Sequence, residues 1–503
     1  MPDTNRTPAQ PVFAGSASQW HPLYDDRLPE WRICRDAFRG ETQIKLRDTW
    51  NGSVQSMDTP YLPIPDGFRF FNDNTIRARA FHQYKLRARF PEILAPTILG
   101  MVGIIHRSES QIQMPASMEP LWERATRDKL PLEALHRRIT TELLITGRYG
   151  LLAGAKSNPE PGDLPFLTGY TAEEILNWDE DNLDLFVLDE SGYYRDGFTW
   201  KEEFKYRVLY LDDQGRYVAE MHDQTGGIDR VVMPTARGNQ PMTQIPFTII
   251  GARDLSLNPE TPPLIGVARS SVAQYQLNAD YRWQLFMSGQ ETAVIINNDP
   301  PEAVGAGVIL KLESEGDMQA DFKYVGPSCK GIQAHKEAIS EEQKTAMQAA
   351  GAMFDTKQPA NESGDARRLR YAAQTATLVT VSMSSAQGLE RALRSIAVMM
   401  GENPEEVIVT PDLNFVNTAL APQEVLQVIE GWQKGGYSYE TMYERLRRGD
   451  AVSAEREPAD ELRLMDNERV TISPREAGII TDSPSMIPVD QSTETPATEG
   501  GST

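Results

Sequence analysis

The sequence predicts an α+β protein organised around residues 262–400, read as helix, strand-rich insert, helix, loop and long helix. Three observations carry this. Residues 267–288 run without Gly or Pro, and Val272, Tyr275, Leu277, Tyr281, Trp283, Leu285 and Phe286 go nearly all round a helix, which therefore needs cover from other protein. Residues 366–400 hold no Pro and only Gly388, about 50 Å of straight helix at about 1.5 Å per residue, far beyond an ordinary globular one. Between Leu183 and Met233, β-formers alternate in short runs parted by turn residues, as in an antiparallel meander.

Taken in order, residues 1–20 are polar and rich in Pro, Ser and Ala, a flexible arm. A short helix is expected at 31–38, ending at Gly40, then an extended segment at 61–67. Residues 74–89 form the most basic helix candidate, with Arg77, Arg79, Lys85, Arg87 and Arg89 among Ile76, Ala80, Phe81, Tyr84 and Leu86. Ion pairing on a solvated face is favoured over nucleic-acid contact for it. Residues 93–105 and a helix at 132–145, closed by Gly147, should be core. A strand follows at 148–155. At 170–178, Thr171 with Glu174 three residues on is a capping-box pattern that starts a short helix. Strands are expected at 186–188, 206–210, 217–221 and 231–233, with turns at 190–192, 212–215 and 224–227, followed by 245–250.

The insert at 291–331 carries β-forming runs at 293–296, 308–312 and 322–325. The next helix, 334–354, is amphipathic: Ile339, Ala346, Met347, Ala350, Met353 and Phe354 share one face, and Glu337, Glu341, Glu342 and Lys344 the other. Residues 355–365 are small and polar with no apolar anchor, a mobile loop. A brief strand at 407–413 precedes helices at 421–432 and 438–448. From Ser453 the chain is rich in Glu, Asp, Pro, Ser and Thr, and is expected to be disordered, at least beyond Thr481.

The 503 residues are long enough for two to four domains. No run of about 18 apolar residues exists to cross a bilayer, and mean hydropathy is -0.46, so a soluble protein is expected. The opening residues lack a basic head followed by an apolar stretch, which points to synthesis in the cytoplasm. A net charge of -22 disfavours tight general binding to nucleic acid, where Lys and Arg displace counterions. Cys34 and Cys329 are too few for a disulfide framework and are expected to be free thiols. No phosphate loop, GxSxG, HExxH or CxxC is present, and His21, His82, His106, His136, His222 and His335 are scattered singly. The residues point to no catalytic site, cofactor or metal.

Several phrases, in this order and spacing, resemble the portal proteins of tailed bacteriophages: Tyr61-Leu62-Pro63, the run from Glu142 to Gly150, Tyr170 to Trp178, Ile245-Pro246-Phe247, and Pro262-Pro263-Leu264-Ile265 leading to Tyr275 and Ala279-Asp280-Tyr281-Arg282. The resemblance covers roughly residues 20–448. It implies a ring of about twelve copies at one capsid vertex of the virion, the channel through which double-stranded DNA enters and leaves. Mapped on this chain, it gives an arm (1–20), a wing (21–265), a first stem helix (266–290), a clip (291–333), a second stem helix (334–354), a tunnel loop (355–365), a long helix (366–401), a crown (402–452) and an acidic, largely disordered tail (453–503). The tunnel loop and its flank would face DNA through Lys357, Gln358, Asn361, Glu362, Ser363, Asp365, Arg367 and Arg368. The clip, through Glu313, Glu315, Asp317, Asp321 and Lys323, would meet the terminase large subunit and later the head-tail adaptor. The capsid protein and a scaffold are further implied partners, with no membrane. Two alternatives stay open: another phage head protein sharing only the central helices, or an enzyme with an unrecognised site.

Overall fold

The computed structural model describes residues 15–48, 61–65, 67–68, 72–156, 164–180, 184–289, 291–301, 303, 311–313, 316, 319–326, 331–349, 364–413, 415, 422–448, 452 and 456–471. They fall into two units, residues 1–415 and 416–503, each taken by itself below.

The first unit opens with α1 (Pro22–Arg39), which starts well before the expected position. His21 accepts a hydrogen bond from the Leu23 amide (3.2 Å), and Pro22 stands in the first turn, where its missing N–H costs nothing. Burial of Tyr24, Leu28 and Trp31 on one face holds the helix together across Pro29. Then come α2 (Glu41–Arg47), α3 (Asn74–Arg87, capped by the Asp73 carboxylate), α4 (Leu94–Ile105), a short strand β1 (Gln111–Gln113) and α5 (Leu132–Thr146). Gly147 ends α5 in the left-handed region (φ 78°), the conformation that favours glycine there.

The β region comprises β2 (Arg148–Gly154), β3 (Phe166–Thr171), β4 (Ile175–Trp178), β5 (Leu185–Asp189), β6 (Gly192–Asp196), β7 (Thr199–Glu203), β8 (Lys205–Leu211), β9 (Tyr217–Asp223), β10 (Ile228–Val232), β11 (Thr235–Ala236), β12 (Gln240–Pro241) and β13 (Phe247–Gly251). Five strands make an antiparallel sheet in the order β10-β9-β8-β5-β4, three make a second in the order β13-β2-β3, and β11 pairs with β12. The capping box of Thr171 and Glu174 forms, but it caps one 3-10 turn rather than a helix, because the flanking residues pair as β3 and β4 in the two different sheets. The segment between β5 and β8 is also more than a turn: β6 and β7 form a separate hairpin.

The unit continues with α6 (Ile265–Ser288), β14 (Thr292–Ile296), β15 (Asp321–Val325), α7 (Ile332–Ala349), α8 (Gly364–Met400) and β16 (Ile408–Thr410), which pairs with β1. The long helix α8 lies against α5, β2 and β13, burying Leu378, Val381, Leu389, Leu393 and Ile396. Ser384 Oγ donates to the Gly251 carbonyl (2.7 Å), and Gly388 lets the helix backbone come close to Ile250. One hydrophobic core thus runs from α1 through both larger sheets to α8.

The second unit holds α9 (Pro422–Gln433), α10 (Tyr439–Arg448) and α11 (Pro458–Thr471). Met442, Tyr443 and Leu446 of α10 are buried, and Trp432 meets Tyr439 at 5.8 Å between ring centres. Helix α11 lies where disorder was expected from Ser453. Pro458 at its start and Asp460 and Glu461 in its first turn suit a helix N-terminus, and this outweighs the acidic composition. Residues 472–503, which include most of that tail, lie outside the described residues. Among the described residues, no helix is long and apolar enough to cross a membrane.

Candidate functional site

The candidate apparatus is the arm formed by α6, the β14–β15 ribbon and α7, with α8 following. The first half of α6 is embedded: Val267, Ala268, Val272, Tyr275 and Ala279 are buried, and α1, α3, α4 and α7 pack around the helix. Polar contacts lock its middle. Tyr275 donates to Asp48 (3.2 Å), Gln276 to the Tyr61 carbonyl (2.7 Å), and Tyr84 of α3 to Asp280 (2.5 Å). Trp283 stacks edge-on with Phe68 and Tyr84 at 5.4 and 5.9 Å. Beyond this point the expected all-round cover ends: Leu285 and Met287 are 42% and 41% exposed.

Helix α7 runs back along α6 in a register fixed at both ends. Gln284 meets His335 at 3.0 Å, and a Cβ on Gly266 would touch Ala349 Cβ at 3.4 Å. Between the helices, Val294 pairs with Lys323 and Ile296 with Asp321, making an antiparallel ribbon with no third strand among the described residues. Tyr324 and Val325 are about half exposed on it. A ribbon of two strands is marginal by itself.

Of the clip residues, Asp321 and Lys323 are exposed and alternate on β15, so they share one face; Glu313 pairs with Lys311 outside the ribbon. Glu315 and Asp317 lie outside the described residues, as do Lys357, Gln358, Asn361, Glu362 and Ser363 and the runs 308–310 and 350–354. Gly364 and Asp365, expected in the loop, are helical and begin α8, which also contains Arg367 and Arg368.

The structure also assembles polar groups that are far apart in sequence. Arg35 of α1 donates to both Glu142 of α5 (2.8 and 3.1 Å) and Glu173 within the 3-10 turn (2.6 and 2.8 Å). Asp48 is fully buried and accepts the Tyr61 and Leu62 amides (2.8 and 2.9 Å), yet burial pushes its carboxyl up to about 6 against those hydrogen bonds. His106 and His136 are not single in space: their rings meet edge-on at 4.8 Å, and their Nε2 atoms contact Thr140 (2.9 Å) and Ser385 of α8 (3.1 Å). Burial lowers both, to about 4 and about 3. Spacing gave no signal for any of these. Cys34 is buried and its thiol is pushed up to about 12, a poor nucleophile. Among the described residues, no group of three or more His, Cys, Asp or Glu is placed to hold a metal.

Residues 263–400, the span from α6 to the end of α8, match a family model described as a domain of unknown function, DUF4055. No curated protein matches the chain. Similar solved structures include the neck of an empty gene transfer agent (GTA) particle computed with C6 symmetry, at 15% identity and a TM-score of 0.36 over 71% of this chain and 90% of that one. The virion of a native GTA particle matches at 14% identity and 0.35 over 70% and 88%. The neck of the native particle computed with C12 symmetry matches at 13% and 0.34, again over 70% and 88%. At these identities and TM-scores the likeness establishes neither a common fold nor a role.

Proposed function

We propose that this chain is a portal-type subunit, one of about twelve that close into a ring at a capsid vertex and form the passage for double-stranded DNA. The observation that carries the reading is the arm: two antiparallel helices joined by a β ribbon that has no third strand among the described residues and on which Tyr324 and Val325 are about half exposed. Such an arm suits lateral packing against identical arms, where a neighbouring helix covers Leu285 and Met287. The order of the arm and the long helix after it also follows the sequence resemblance. In this reading the ribbon, with Asp321 and Lys323, docks the terminase and then the adaptor, and the segment before α8 faces DNA.

The ring acts as a conduit and does no chemistry; energy for packaging comes from a separate ATPase. A polyanion slides best past a wall that does not neutralise its phosphates, since each neutralised phosphate adds salt-sensitive affinity. The net charge of -22 per chain suits that task. The test is the mass of the purified protein with particle images of the same fraction. A ring of about twelve 56.3 kDa chains with a central hole is expected; a compact dimer without a hole, stable across salt and concentration, would overturn the reading. In such rings, a Gly/Ser linker in place of residues 359–364 should leave assembly intact and impair DNA packaging or retention.

A further inference from the structure

The basic helix α3 meets α6 at an open recess of about 330 Å³ lined by Leu86, Arg87, Arg89, Arg282 and Leu285. Three arginines thus line one recess on a chain with 72 acidic and 50 basic residues. Two of them, Arg87 and Arg282, are held in place. The Arg87 guanidinium carbon lies over Phe286 (3.7 Å to the ring centre), and the side chain donates to the Gln83 carbonyl (2.8 Å). Asn278 Oδ1 accepts both Arg282 Nε (2.8 Å) and the Arg89 amide (3.0 Å), tying the end of α3 to α6. Arg89 approaches Glu41 at 3.6 Å, whereas Arg87 and Arg282 have no carboxylate within 4.0 Å among the described residues. An ordered guanidinium with unused N–H groups is suited to bind a carboxylate in a fork.

The register of the arm identifies the carboxylate. Gln284 touches His335, so Arg282, two residues earlier on α6, is level with Glu337, two residues later on the antiparallel α7. Two residues are also about 200° of helix turn, so Arg282 points away from α7 and Glu337 away from α6. Glu337 and Glu341, one turn apart, are exposed and form no ion pair among the described residues. When arms stand side by side around an axis roughly parallel to them, the outer side of one α7 meets the outer side of the next α6 at the same height.

We propose that the α3–α6 arginine recess receives the Glu337–Glu341 face of α7 from a second copy of this chain, an inference that rests on the ring reading. The test uses the full chain with four proteins: the native sequence, Arg282→Glu, Glu337→Arg, and both together, compared by mass across concentration. Each single change should raise the concentration needed for ring formation by about tenfold, and the double change should restore it. Glu337 lies on an exposed face, so its substitution tests the contact without endangering the fold. Rings that form equally well with either single change, or that the double change fails to restore, would overturn the recess assignment and leave the ring standing. Intact rings of Arg282→Glu that retain DNA less well would also overturn it, assigning the recess to phosphate. A native chain that never forms rings would remove the ring reading itself.

Discussion

Replacing Gly388 by Ala should destabilise the protein, although alanine is the better helix former by about 1 kcal/mol. A Cβ at this position would stand 2.5 Å from Ile250 Cγ1 and 2.8 Å from its Cγ2, with Cδ1 also inside 3.0 Å, where ordinary contact begins near 3.4 Å. Ile250 is fully buried on β13 and its β-branched side chain is stiff at χ1, so it must retreat by roughly 1 Å into a packed core. Overpacking of this kind costs about 1–3 kcal/mol. With three atoms of one stiff side chain involved, the upper part of that range applies, and after the helix gain a net loss of about 1–2 kcal/mol remains. Thermal unfolding should show a lower Tm, and hydrogen exchange should quicken in α8 near residue 388 and in β13. In the double variant with Ile250→Ala, the added methyl occupies space that the isoleucine vacated, so the two costs should fall short of additive by about 1 kcal/mol or more. A higher Tm for Gly388→Ala, or additivity in the pair, would refute the close-approach argument.

Two further predictions concern the buried polar groups. Arg35→Ala leaves Glu142 and Glu173, 14% and 23% exposed, facing each other without their shared cation; a loss of about 3–5 kcal/mol is expected in thermal or denaturant unfolding, and a loss below about 1 kcal/mol would place the pair with ordinary surface bridges. His106 and His136 are depressed by burial, so the stability they provide is complete above their unfolded value of 6.5 and is lost as pH falls through 6.5 toward about 4 and about 3. Asp48 acts in the opposite sense: its raised carboxyl relieves a penalty as pH falls from about 6 to 3.8. At pH 5 the two histidines outweigh the aspartate, for a net loss of about 2–3 kcal/mol relative to pH 7. The Tm should therefore fall over this range and fall more steeply in Asp48→Asn. A Tm that rises on acidification to pH 5 would contradict the sign.

Periodicity and breakers were sufficient for several of the long elements, though not for the start of α1. The unbroken runs behind α6 and α8, the Gly147 stop of α5 and the alternation behind β5, β8 and β9 are local features, readable because helix and strand periods are set within the chain itself. The same local reasoning failed where two neighbours competed for a segment. Thr171 and Glu174 carry a genuine capping pattern, but strand pairing on either side confines it to one turn, and the β6–β7 hairpin was hidden between two stronger strands. The acidic composition after Ser453 concealed α11 because a helix start depends on a few placed residues and composition averages them away.

What the sequence determined alone was the α+β class, the order of the central helices and ribbon, and the excess of negative charge. The tertiary structure decided which side chains share a place: Arg282 in one recess with Arg87 and Arg89, His106 against His136, Arg35 with two carboxylates, and the level of Arg282 beside that of Glu337. Those encounters join residues from separate elements, and no spacing within one element records them. They arise only when buried polar groups must find partners and helices must settle into one register.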